Sequence, residues 1–268
     1  MIFLNISIIG GDLRIVRLAE MYADEGNIIY VYGLEKYFIK ETNPNIIVCN
    51  TISEATSKSN IIISSMPFSR DNITVNAPYA METIKIEDLE KEIENKTFIA
   101  GGIPNEFYKK EIHNIDLLQN EELTILNAIP TVEGTIKIAI EEREETIYES
   151  NILICGFGRI GKILCNRFKA LGANVYCVAR KEADLTWIRE NRYIPLTYQK
   201  VSEIGEKFDI VINTVPTLVL KEKELNSFKQ DVLIIELASI PGGIDKEYAE
   251  KKKLKIITAM RNTRKTNA

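Results

Sequence analysis

Apolar residues along this chain fall into short runs separated by polar, helix-periodic stretches. The first run, Asn5-Ile-Ser-Ile-Ile-Gly10, breaks at Gly10-Gly11 and passes into a segment from Leu13 to about Glu25. There Leu13, Val16, Leu18, Ala19 and Tyr22 recur at helical spacing. Gly26 stands where a helix C-cap belongs, and Ile28–Tyr32 reads as the next strand. A second segment repeats this arrangement: Asn151-Ile-Leu-Ile-Cys155, a glycine-rich turn, a helix through Leu171, then Gly172 and a strand over Asn174–Val178. Further strand-like runs are Ile61–Ser64, Thr97–Ala100, Ile210–Asn213, Val232–Glu236 and Lys255–Ile257, and helical patterns cover Ile86–Ile93 and Glu106–Asn114. Strands alternating with helices at this spacing predict parallel sheets covered on both faces. Two such units predict two α/β domains, residues 1–128 and 129–268. Val132 to about Thr146 reads as one helix leading into the second, with Pro130 and Thr131 at its start and Glu133 in its first turn. Gly134 inside that helix costs about 1 kcal/mol relative to alanine, which calls for a close approach by a ligand or by the other domain.

Composition narrows the classes. The chain has 268 residues, 45% of them hydrophobic and 27% charged, which is ordinary globular composition. A net charge of -4 offers no basic field for nucleic acid. No run approaches the ~20 apolar residues that span a bilayer, and the stretch from Met1 to Gly10 lacks the basic start of a signal peptide. The four cysteines, Cys49, Cys155, Cys165 and Cys177, form no C-x-x-C pair, and His113 is the single histidine, so a zinc site has almost no ligands. The expectation is a reduced, cytoplasmic, metal-free protein.

The turn of the second unit carries the sharpest chemistry. Gly156-Phe-Gly158-Arg159-Ile160-Gly161 follows a strand and opens a helix, the setting that a dinucleotide fingerprint requires. Gly156 allows the tight turn, Gly158 lets the backbone reach a pyrophosphate, and Gly161 permits close helix–strand packing. The bland alternative is a turn whose glycines only relieve strain. Selection of the cofactor falls to the tip of the next strand. An NAD site places Asp or Glu there, but here Arg180 stands nineteen positions after Gly161 and is followed by Lys181. A guanidinium grips a 2′-phosphate that a carboxylate would repel, so NADP is the expected cofactor. Thr214-Val215-Pro216 leaves another strand and is placed on the nicotinamide side, although a plain strand exit explains it nearly as well. Both domains are therefore expected to be Rossmann-like, with the C-terminal one binding NAD(P).

In the first domain Gly10 and Gly11 lack the third glycine, but their N–H groups could hold a small anion such as a carboxylate. Arg14, Arg17 and Arg70 suit a carboxylate-bearing substrate; each alone is more simply a surface cation. Thr131 is well explained as a purely structural cap.

Taken together, Ile9-Gly-Gly-Asp-Leu-Arg14, Asn127-Ala-Ile-Pro-Thr-Val-Glu-Gly-Thr-Ile136, Gly156-Phe-Gly-Arg-Ile-Gly-Lys162, Ala170-Leu-Gly-Ala-Asn-Val175, Ile212-Asn-Thr-Val-Pro216 and Ala238-Ser-Ile-Pro-Gly-Gly-Ile-Asp245 resemble the dipicolinate synthase A-subunit family over nearly the whole chain. The resemblance implies a two-domain NADP-dependent enzyme in the mother cell of a sporulating bacterium. Its implied partner is the flavoprotein-like B-subunit of dipicolinate synthase, the two acting in an oligomer. The reaction it implies starts from a cyclic dicarboxylate of lysine biosynthesis: water is lost, a hydride passes to NADP, and pyridine-2,6-dicarboxylate results. No catalytic residue carries over. The reading of the residues makes Glu133 the general base beside Thr131, with Ser64 and Ser65 on the same cleft, and has Gly10, Gly11 and Arg14 hold a substrate carboxylate. The tail from Met260 to Ala268 departs from the family's Gly-Leu/Ile-Pro-Gly segment and final helix, and is read as the product of a one-base frameshift, real or in sequencing. A 2-hydroxyacid dehydrogenase needs a histidine late in its cofactor domain, and His113 precedes that domain. An NADP oxidoreductase of shikimate-dehydrogenase type, or a non-catalytic NADP-binding subunit, stays open.

Overall fold

The computed structural model describes residues 3–39, 43–239 and 241–258; the 260–268 tail, on which the frameshift reading rests, lies outside them. The chain divides into two compact units, Met1–Thr124 and Ile125–Ala268. In the first, strands β1 (Asn5–Ile9), β2 (Ile28–Tyr32), β3 (Ile46–Val48), β4 (Ile61–Ser64), β5 (Thr97–Ala100) and β6 (His113–Asp116) form a parallel sheet in the order β3-β2-β1-β4-β5-β6. In the second, β7 (Asn151–Cys155), β8 (Asn174–Val178), β9 (Ile194–Leu196), β10 (Ile210–Asn213), β11 (Leu233–Glu236) and β12 (Lys255–Thr258) repeat that topology as β12-β11-β10-β7-β8-β9. The helices are α1 (Leu13–Asp24), α2 (Glu35–Phe38), α3 (Ile52–Ser57), α4 (Ile86–Glu92), α5 (Glu121–Glu141), α6 (Arg159–Ala170), α7 (Glu182–Glu190), α8 (Tyr198–Val201), α9 (Glu222–Ser227) and α10 (Lys246–Lys251). Both sheets are Rossmann-like, and each strand order reverses beside its first strand, where open α/β sheets place ligands.

Central strands buried on both faces need apolar residues at nearly every position. β7 meets that need with Ile152, Leu153, Ile154 and Cys155. Alternate side chains go to opposite faces: Ile152 and Ile154 meet Leu164 and Phe168 of α6, while Leu153 and Cys155 meet Phe208, Leu225 and Phe228. In the first unit Ile6 and Ile8 pack on Val16 and Ala19 of α1. On its other face Phe68, Phe98 and Phe107 interlock with ring centroids 5.3–5.6 Å apart.

Several elements differ from the expectation. The helix predicted from Val132 starts at Glu121, where Asn120 accepts the Leu123 N–H at 2.9 Å and two glutamates fill the first turn. Pro130 therefore lies inside α5, and Thr131 and Glu133 are interior residues rather than a cap and its first turn. Glu106–Asn114 is a short 3₁₀ turn followed by β6, a brief polar edge strand without an apolar pattern. The short strands β3 and β9 are additions that the apolar pattern does not announce. Among the described residues α5 is the one helix long and apolar enough to cross a membrane, although Val132 and Ala139 pack into the core of the second unit.

At the amino edge of the second sheet Asp209 accepts the Asn151 N–H at 2.7 Å and the Lys229 ammonium at 2.6 Å, and Arg143 donates to its carbonyl oxygen at 2.9 Å. Burial pushes the Asp209 carboxyl up. The Lys229 bond, the Asn151 N–H and the charges of Lys229 and Arg143 outweigh it and hold the group below its ordinary value. A depressed carboxyl stabilises the fold above its unfolded pKa near 4, and that contribution disappears as pH falls through the folded value. Asp209→Asn should lower stability by about 1–3 kcal/mol at pH 7 in urea titrations. The gap to wild type should shrink below about pH 4; an equal gap at pH 7 and pH 3 would contradict the assignment.

Candidate cofactor site

The turn after β7 uses each glycine for a different steric reason. Gly156 has φ +102, in the region that favours glycine, and its N–H donates to Val178 of β8 at 3.0 Å. A Cβ on Gly156 would stand 2.5 Å from the Thr214 hydroxyl, and one on Gly161 would stand 2.0 Å from the Gly156 carbonyl oxygen. α6 thus lies against the turn it follows. Gly158 is different: it is the extended N-cap of α6, and a Cβ there would meet nothing within 4 Å. Among the described residues no side-chain cap of α6 is seen and its first turn holds no acidic residue, so the backbone N–H groups of Gly158 and Ile160 stand at a partly positive helix end. A pyrophosphate fits an open approach of this kind. Arg180 and Lys181 are exposed just beyond β8, and Arg180 has no ion pair among the described residues.

The loops after β10 and β11 are locked together by two buried polar residues. Asn213 donates to Glu236 at 2.8 Å and to the Val215 carbonyl at 3.0 Å, and its own carbonyl accepts the Val215 N–H at 3.1 Å. Glu236 also accepts the N–H groups of Ala238 at 3.0 Å and Gly243 at 2.9 Å. Gly243 sits so close that a Cβ would be 2.4 Å from both the Asn213 amide nitrogen and the Val215 carbonyl oxygen, which explains the Pro-Gly-Gly segment. Thr214 gives its hydroxyl to the Cys155 carbonyl at 2.8 Å and Pro216 is exposed, so this stretch offers a ligand mainly backbone and apolar surface. Sequence reasoning passes over Glu236; a carboxylate closing the run Leu233-Ile-Ile-Glu236 is the available signal.

The equivalent turn in the first unit is closed by its own chain, which corrects the expectation of a carboxylate site there. The Gly10 N–H donates to Tyr32 at 2.8 Å and the Gly11 N–H to Asn76 at 3.0 Å. Asp12 caps α1 by accepting the Arg14 N–H at 3.0 Å, and also holds the Arg14 guanidinium at 2.7 Å, which reaches the Met66 carbonyl as well. Gly10 and Gly11 therefore have no N–H left for an anion. Ser64 and Ser65 are corrected likewise: both are buried, and their hydroxyls donate to the carbonyls of Ile9 at 2.6 Å and Phe68 at 3.1 Å. On α5 the Thr131 hydroxyl lies 3.5 Å from the Asn127 carbonyl, and Glu133 is exposed. Gly134 is exposed too, and the packing around it gives no reason for a glycine.

Residues 5–119 match the model of the N-terminal domain of the dipicolinate synthase A-subunit, and residues 131–241 match that of the NAD-binding domain of D-isomer specific 2-hydroxyacid dehydrogenases. The cofactor domain is thus shared with those dehydrogenases, while His113 lies outside residues 131–241. The dipicolinate synthase A-subunit of Bacillus subtilis (strain 168) is 31% identical over 264 residues, covering 96% of this chain and 88% of that protein. The crystal structure of dipicolinate synthase, A chain, from Bacillus subtilis superposes with TM-score 0.81 at 30% identity over 96% of this chain and 88% of that one. The A-subunit from Bacillus halodurans gives TM-score 0.81 at 27% identity, covering 95% and 89%. A Sinorhizobium meliloti transhydrogenase, at TM-score 0.58 and 14% identity over 90% of this chain and 80% of that one, shares the fold alone.

Proposed function

The chain belongs to the dipicolinate synthase A-subunit family, and from that premise we propose that it is an NADP-dependent oxidoreductase which forms pyridine-2,6-dicarboxylate during sporulation. It acts in the cytoplasm of the mother cell on a cyclic tetrahydrodipicolinate-type dicarboxylate, together with a flavoprotein-like B-subunit. The observation that carries the cofactor assignment is Arg180, exposed and without an ion pair among the described residues, beyond β8 in the unit whose helix α6 opens on Gly158. NADP supplies the hydride acceptor. Gly158, Arg159 and Ile160 present N–H groups to its pyrophosphate, Gly156 and Gly161 keep that turn close, and Arg180 with Lys181 takes the 2′-phosphate. Thr214, Val215 and Pro216 wall the nicotinamide side. Glu133, exposed on α5, is the proposed general base, with Thr131 beside it on that helix.

One observation favours a second reading. The turn of the first unit spends its N–H groups and Arg14 on its own chain, as suits a cofactor-binding subunit that leaves the chemistry to its partner. Mixing the purified chain with the second subunit, NADP and the cyclic precursor should produce pyridine absorbance. Glu133→Gln should leave NADP binding intact in calorimetry and abolish that absorbance. Unchanged turnover would remove Glu133 from the mechanism, and absence of pyridine with the wild-type chain would leave the non-catalytic reading.

A further inference from the structure

The adenosine side of the cofactor turn holds a polar group that neither the glycines nor Arg180 account for. β8 and β9 pair in parallel as far as Val178↔Leu196. Arg180 lies two residues past Val178, and Tyr198, the first residue of α8, lies two residues past Leu196, so both leave the carboxyl edge of neighbouring strands. Gly156 leaves the same edge, one residue past Cys155, which pairs with Val178. The Tyr198 ring is half-buried against the cluster of Leu153, Cys155, Val201 and Phe208. Its hydroxyl makes no hydrogen bond among the described residues. Burial pushes the phenol up, and the Arg180 charge draws it part of the way back.

A hydroxyl-bearing aromatic ring fixed by packing loses little freedom on binding a ligand. A cation and a neutral donor at neighbouring strand ends suit a phosphate dianion on a ribose better than a ribose hydroxyl, which would leave the guanidinium unanswered. We infer that Tyr198 is a specificity-determining residue for the dinucleotide, donating its hydroxyl to the 2′-phosphate that Arg180 grips. This inference rests on the NADP reading above, and the test separates the two.

The test uses the full chain in calorimetry with two fragments, 2′,5′-ADP and 5′-AMP, on wild type, Tyr198→Phe and Arg180→Ala, with melting curves as a control on folding. Wild type should prefer 2′,5′-ADP. Tyr198→Phe should weaken that ligand by about ten- to a hundredfold, as for one hydrogen bond to a charged group, with 5′-AMP binding unchanged. Unchanged 2′,5′-ADP binding in Tyr198→Phe, beside an Arg180→Ala variant that loses the preference, overturns the role of Tyr198 and leaves the NADP reading standing. Equal weakening of both fragments also overturns it, since the phenol would then serve the adenosine and not its phosphate. A wild-type chain without preference overturns the NADP reading and this inference with it.

Discussion

Alanine at Gly158 should leave the fold intact and weaken NADP binding at least tenfold, whereas alanine at Gly161 should damage both. The two positions lie three residues apart in one turn and face different neighbours. A methyl on Gly158 enters open space, and the residue is already in an extended conformation at φ -82, so the folded chain gains no strain. It occupies the volume in which the backbone would approach the pyrophosphate. A methyl on Gly161 would lie 2.0 Å from the Gly156 carbonyl oxygen, a backbone atom that cannot rotate aside. Relief requires α6 to move off the turn, dragging Leu164, Cys165 and Phe168 out of their packing. Overpacking of this kind costs about 1–3 kcal/mol or more, a fall in Tm of roughly 4–10 °C for a unit of this size. Calorimetric titration and thermal melts of the two variants check the pair. If Gly158→Ala bound NADP as wild type does, the pyrophosphate would not lie on that turn, and the assignment of the cofactor site would fall with it.

Both sheets are legible in the sequence because their central strands are short, mostly apolar runs, the first of each unit ending in a glycine turn, and β7 with α6 and β8 is the clearest instance. The short edge strands are not: β6 reads His-Asn-Ile-Asp, and an exposed edge needs no apolar alternation. The start of α5 is hidden because proline is common at the first position of a helix, and Pro130 outweighs the Asn120-Glu-Glu start nine residues upstream. The first unit's turn shows why a local motif is incomplete evidence for a site. Gly10-Gly11-Asp12 has the composition of an anion cradle. The carbonyl that takes the Gly11 N–H comes from Asn76, more than sixty residues away, and no local pattern announces that segment. Tyr198 is invisible in the sequence for the same reason, since only the pairing of β8 with β9 brings its strand end next to that of Arg180.

The same long-range logic makes Glu236 the side chain in the second unit whose loss should be most damaging. Its two oxygens accept three donors: the Asn213 amide and the Ala238 N–H on one, and the Gly243 N–H on the other. These donors come from the end of β10 and from the loop after β11, so a single carboxylate at the end of β11 ties both strand ends together at the carboxyl edge of the sheet. Removing it in Glu236→Ala leaves the three donors without their acceptor around a buried cavity, and a loss of about 3–5 kcal/mol is expected. Glu236→Gln is the sharper comparison, because size and shape are kept while one acceptor becomes a donor. Whichever way the amide turns, an N–H from Gly243, or those from Asn213 and Ala238, meets a second donor, and about 1–3 kcal/mol should be lost. Asn213 cannot compensate by flipping, since its carbonyl already takes the Val215 N–H while its amide serves both Glu236 and the Val215 carbonyl. The loosened Val215–Thr217 stretch should weaken NADPH binding beyond the stability change, read by cofactor fluorescence at a temperature where both variants remain folded. A Glu236→Ala chain melting within a degree of wild type would show that solvent reaches these loops and that the buried carboxylate does not hold them.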